Sequence, residues 1–141
     1  MKFYILLLII LLNFSFVLCK KGLSPEEQIR TQIEEIKEYV NRRQIGKIME
    51  YISADYKDSY GNKKESIKGI LIQNLMFRRN VKVVIKDVDI KVMGENAVAI
   101  VGLFVREGEG IIPSNADVIK IELMLVRVDK KWMVTSAFWR S

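Results

Sequence analysis

The apolar pattern of this chain changes its period once, at Val81, and that change limits the architectures open to it. Before Val81 apolar residues recur at helical steps; after it they alternate every second position. The clearest helical stretch is "SPEEQIRTQIEEIKEYVNRR", where Ile29, Ile33, Ile36 and Val40 form one stripe. Ser24 and Glu27 have the spacing of a capping box, and Pro25 stands where a missing N–H costs nothing. Glu26 and Glu27 suit the positive end of the helix dipole, and Arg42 and Arg43 the negative end. A shorter pattern follows, with Ile45, Ile48, Met49 and Ile52 on one face and Gly46 weakening its start. Ser53-Ala54-Asp55 breaks it, and "YKDSYGN" reads as an extended piece running into a turn. A third helix is predicted from about Lys63 to Arg78, with Ile67, Ile70, Leu71 and Leu75 aligned.

From Val81 onward the chain reads as strands. Val81, Val83 and Ile85 alternate, and Val88, Ile90 and Val92 alternate in the opposite phase. A bulge or bend near Lys86-Asp87 is therefore expected. Gly94-Glu95-Asn96 is a turn, "AVAIVGLFV" a strand buried on both faces, and "REGEGIIPSNAD" a loop. "VIKIELMLVRV" places Ile119, Ile121, Leu123 and Leu125 on one face. The turn that follows falls at Asp129-Lys130 or Lys130-Lys131. In the last strand Trp132, Val134 and Phe138 alternate against Met133, Thr135 and Trp139. Consecutive strands with short links argue an antiparallel sheet, and helices grouped ahead of it must cover one face. The expected class is α+β, three N-terminal helices on a curved antiparallel sheet.

Residues 1–18 stand apart from this domain. A basic Met1-Lys2 start and the unbroken apolar run from Phe3 to Leu12 have the layout of a secretory signal, too short for a permanent span. Cys19, the one cysteine, closes that segment and has no partner for a disulfide within the chain. "FSFVLCKKG" resembles the lipobox of bacterial lipoproteins, with Leu18 where a small residue is usual. That resemblance implies acylation of Cys19, cleavage before it, and attachment to membrane lipid. Residues 19–24 then form a lipidated N-terminus and short tether, and 25–141 the domain. The other reading is an ordinary signal cut elsewhere. The location expected is the cell envelope, periplasmic or surface, or the medium if Cys19 carries no lipid. After Leu18 the chain has 22 basic and 17 acidic side chains. The cations are scattered among the acids, there is no glycine-rich phosphate loop, and no nucleic-acid partner is expected. Lys20 and Lys21 suit anionic headgroups.

Three stretches together carry a wider resemblance. They are "IMEYISADYKDSYGNKKESIKGIL", "VKVVIKDVDIKV" leading into "NAVAIVGLFV", and the closing "LMLVRVDKKWMVTSAFW". Over about residues 26 to 140 the chain resembles the nuclear transport factor 2-like domains, the cone-shaped cystatin-like fold shared with ketosteroid isomerases and polyketide cyclases. The resemblance implies a pocket between helices and concave sheet, used for catalysis by some members and for ligands or partners by others. Many members pair through the outer face of the sheet, for which Val88, Val92, Met124 and Trp139 are the candidates here.

Chemistry is sparse. The chain has no histidine, which removes His-based triads and typical zinc sites, and no motif asks for a metal or cofactor. Asp55 with Tyr56 is the remaining acid–base pair for an isomerase- or cyclase-like enzyme; the plainer reading is a loop aspartate beside a packing tyrosine. Asp87 and Asp89 read as a solvated face. Tyr51, Tyr56, Phe104, Trp132 and Phe138 are the candidate lining of a pocket for a small apolar ligand, and aromatic packing explains them equally well. The balance favours a ligand-binding or protein-interaction module over catalysis.

Overall fold

A computed structural model describes residues 22–77, 80–107 and 118–140. The leader, Cys19, most of the 106–117 loop and the Arg78-Arg79 pair at the end of the third helix lie outside the described residues. Helix α1 spans Pro25–Asn41 and starts as its sequence dictates. The Ser24 hydroxyl accepts from the Glu27 amide at 3.2 Å, and the Ser24 amide donates to the Glu27 carboxylate at 2.9 Å. Ile29 and Ile33 are buried from its apolar stripe. Helix α2 is only Ile45–Met49, since the chain leaves the helix before Ile52. Helix α3 is Lys64–Met76, with Leu75 alone fully buried.

Four strands follow: β1 (Val81–Met93), β2 (Asn96–Glu107), β3 (Ile119–Val128) and β4 (Lys131–Arg140). They pair antiparallel in chain order. Gly94 takes a left-handed φ of 63° in the β1–β2 turn, and Asp129 and Lys130 both have positive φ in the β3–β4 turn. The expected extended piece after α2 runs beside β4 without forming a named strand. Val134 donates to the Tyr51 carbonyl at 2.8 Å, and Ser53 and Lys57 donate to the Val134 and Thr135 carbonyls.

Two bulges decide which side chains face the helices. In β1 the pairing steps from Ile85–Leu103 to Asp87–Gly102, leaving Lys86 without a cross-strand partner. The extra residue puts Val81, Val83 and Ile85 on the same face as Val88, Ile90 and Val92, despite the phase flip. Val88 and Val92 therefore pack on the core and do not belong to an outer pairing face. In β4 the pairing steps from Leu125–Val134 to Met124–Ser136, with Thr135 as the extra residue. Trp132 and Val134 thus share the inner face with Ala137 and Trp139, whereas Phe138 turns outward, opposite Glu122. Gly102 sits on the outer face beneath Asp87; a Cβ there would come within 2.5 Å of the Asp87 carboxylate.

The main core joins Ile29, Ile33, Ile52 and Tyr56 to the inner faces of β2, β3 and β4, and a second cluster gathers Ile48, Leu75 and Val81. Among the described residues, the buried members of the two clusters lie between Ile29 and Val134. Two amide side chains fasten α1 to the sheet's open edges. Gln32 accepts from the Trp132 amide at 3.1 Å and donates to its carbonyl at 2.9 Å. Asn41 does the same for Val83, at 2.7 Å and 2.9 Å. Each amide imitates a neighbouring strand, satisfying backbone groups that an edge would leave open.

Candidate ligand cavity

Between α1, α3 and the half of the sheet where β1 begins and β4 ends lies a cavity of about 440 Å³. From α1 it receives Ile33, Ile36 and Val40, and from α3 Ile70, Leu71 and Leu75. The floor is inner-face aliphatics of β1, β2 and β3, with Val101 and Leu123 near its middle and Trp139 of β4 at the rim. The polar lining side chains among the described residues are Lys37 and Asn74. The Lys37 ammonium lies 2.8 Å from Glu34 and 3.2 Å from Glu38, and these hydrogen bonds raise its pKa above the usual lysine range. The Asn74 amide donates to the Ile70 carbonyl at 2.8 Å. No carboxylate, phenol, thiol or hydroxyl is among the described lining residues.

The residues singled out from sequence are elsewhere. Asp55 is exposed, its amide donating to the Ser53 hydroxyl at 3.2 Å. Tyr56 is buried in the main core; burial first, then the charge of Asp58, pushes its phenol up to about 12. The Tyr51 hydroxyl donates to Glu35 at 2.5 Å while the Lys131 ammonium sits 4.2 Å above its ring. Burial and the Glu35 contact hold that phenol well above the ordinary tyrosine value. Phe104 lies opposite Val84 on the outer face. Trp132 is wholly enclosed and donates from Nε1 to Gln28 at 3.3 Å. None of these four aromatics, nor Phe138, lines the cavity, whose walls are mainly aliphatic. Trp139, a candidate for the outer face from sequence, lines the cavity because the Thr135 bulge reverses its side. Ile70, Leu71 and Leu75, aligned from sequence along the third helix, do line it.

Asp58, not singled out from sequence, organises the loop before α3. Its carboxylate accepts from the Asn62 side chain and from the Tyr60 and Asn62 amides, each at 2.9 Å, and from Tyr56 at 3.4 Å. Desolvation pushes its pKa up, but these hydrogen bonds outweigh it and hold the group below the usual carboxylate value. A carboxyl depressed in the folded state contributes stability above the unfolded pKa and loses it as pH falls through the folded one. Asp58→Asn is therefore expected to lower stability at neutral pH and to flatten the decline below about pH 4, read by circular dichroism during acid titration. An acid limb as steep as that of the parent would count against this role.

Among the described residues no group of acidic or cysteine side chains could hold a metal ion. No protein-family model matches the chain, and no curated protein matches it. Solved structures do. A nuclear transport factor 2-like protein of unknown function from Pseudomonas putida aligns with a TM-score of 0.69 at 17% identity, covering 85% of this chain and 89% of the other. A candidate dehydratase of the nuclear transport factor 2-like family from Streptomyces avermitilis aligns at 0.68 and 13% identity, covering 82% and 96%. A candidate scytalone dehydratase from Novosphingobium aromaticivorans aligns at 0.63 and 15% identity, covering 80% of each. Helices laid across a bent four-stranded antiparallel sheet, matched over four-fifths of the chain, are the nuclear transport factor 2-like, cystatin-like fold.

Proposed function

We propose that this chain is an exported, membrane-tethered domain that holds a small apolar molecule between α1, α3 and the sheet. The cavity carries the reading. Its volume of about 440 Å³ falls in the range of small-molecule sites, and its described walls are apolar apart from Lys37 and Asn74. A ligand there gains chiefly from leaving water. Export and the tether rest on the leader and on Cys19 at its end. The outward face of the sheet, with Phe104, Met124 and Phe138, is the surface on which a second copy would pair.

The isomerase- or cyclase-like alternative draws support from the names of two structural neighbours. It requires a carboxylate aimed into the cavity, and Asp55 does not line that space. The test is mass spectrometry on full-length protein extracted from bacterial membranes. Expected are a mature N-terminus at Cys19 carrying a diacylglyceryl mass, lost in Cys19→Ser, and an apolar molecule retained under native conditions. A soluble, unacylated mature protein removes the tether. A cavity that retains no apolar molecule and binds no fatty-acid probe removes the ligand.

A further inference from the structure

We propose that the cavity measures its ligand by length: an unbranched acyl chain enters tail first and stops against Ile33, Val101 and Leu123. This rests on the ligand reading of the cavity and adds where the molecule ends. The three residues come from α1, β2 and β3, and on each element the described lining ends with them. One turn earlier on α1, Ile29 is fully enclosed. Two residues before Val101 on β2, Ala99 is fully enclosed as well, and two residues after Leu123 on β3, Leu125 is buried. Ile29, Ala99 and Leu125 belong to the main core with Trp132 and Val134. Void thus gives way to packed core within one step on three separate elements, which makes this end blind.

The opposite direction is open. Along β2 the exposure of the lining rises from 4% at Val101 to 44% at Val105, and Ile70 of α3 and Trp139 of β4 are exposed at the rim. Gln32 grips Trp132 and Asn41 grips Val83, so α1 itself runs from the blind end toward the start of β1. The lining extends about 10 Å along α1 from Ile33 to Val40, and about 13 Å along β2 from Val101 to Val105. The polar side chains of the described lining stand away from the blind end. Lys37 is one turn past Ile33 toward Val40, and Asn74 is one turn past the exposed Ile70. Ile33, Val101 and Leu123 are aliphatic, and a polar group pressed against them would leave water without gaining a partner from any of the three. The apolar terminus therefore goes in first and the polar end stays toward the opening. Each further methylene is buried until the tail meets the three residues; the next one stays in water.

The test is displacement of a fluorescent fatty acid from detergent-free full-length protein by saturated fatty acids of increasing length, from hexanoate to palmitate. Affinity is expected to rise about fourfold per added methylene and then to level at one chain length. Leu123→Ala deepens the blind end and should move that break about two carbons longer. Val101→Phe fills it and should move the break shorter, with the shortest acids bound as in the parent. A damaged fold loses short and long acids alike, so these opposite shifts are distinct from misfolding. Val105→Ala, at the open end, should leave the break in place. An unbroken rise through palmitate overturns the proposal. So does a break that neither inner substitution moves, or one that Val105→Ala moves equally. If the fluorescent acid does not bind at all, the ligand reading falls and the length rule with it, a result distinct from binding without a break.

Discussion

Replacing Trp132 with alanine is expected to lower the free energy of unfolding by about 3–5 kcal/mol. Two features of the site set that magnitude. The indole is fully enclosed within the main cluster, so truncation empties a large volume that rigid neighbours on two strands and α1 fill only in part. Its Nε1 donates to Gln28, whose acceptor would lose its partner in the same step. The Gln32 hydrogen bonds are to its backbone and survive the substitution, so the loss is confined to the side chain. A domain of this size has a total stability of about 5–15 kcal/mol, and the variant should unfold at much lower urea concentration. Trp139→Ala, a change of identical chemistry at a residue 59% exposed, should move the midpoint far less. Comparable shifts for the two tryptophans would contradict the enclosed place of Trp132 and the exposed place of Trp139 at the cavity rim.

That contrast shows where the sequence was legible. The change of period at Val81, the Ser24–Glu27 capping box and the order of elements were all readable, because each is a local rule acting on adjacent residues. The bulge at Lys86 was readable too, since two clean runs of valine and isoleucine flank it out of phase. Its consequence was harder to foresee. A phase flip is compatible with a strand that changes faces or with an extra residue that restores them, and only the register distinguishes the two. The second bulge leaves almost no trace. In "VTSAFW" Phe138 and Trp139 are equally apolar and Ala137 is neutral, so either phase looks sound.

The cavity was the least legible part. Its described walls come from six elements distant in sequence, and aliphatic residues that line a void look the same as those that fill one. Ile70, Leu71 and Ile72 are consecutive and Met76 adjoins Phe77, so α3 has no single apolar face to read. One side of it borders the cavity while Ile72, Met76 and Phe77 stay partly or largely exposed. Aromatic residues drew attention as pocket candidates, yet Tyr51, Tyr56 and Trp132 are structural. Their polar atoms are matched to Glu35, Asp58 and Gln28, as buried aromatics with polar ends require. Gln32 and Asn41 were equally hidden, because an amide on a helix flank reads as a solvated residue until an open strand edge is placed beside it.

Filling the cavity should separate binding from folding. Val101 and Leu123 project into its middle, and Leu123 has only Ala99 and Ala137 as cross-strand partners, so larger side chains there meet methyl groups. In Val101→Phe/Leu123→Trp the added rings occupy space that a ligand would use. Affinity for a fluorescent fatty acid is expected to fall about a hundredfold, equivalent to about 2.7 kcal/mol. Thermal stability should hold or rise, because rings placed in a void gain contacts that the parent lacks. The opposite signs are what make the experiment informative. Damage to the core, as in Trp132→Ala, lowers stability and binding together, whereas occlusion of a functional void lowers binding alone. If the filled variant binds the probe as tightly as the parent, the molecule sits elsewhere, and the space between α1, α3 and the sheet is a packing defect with no ligand to hold.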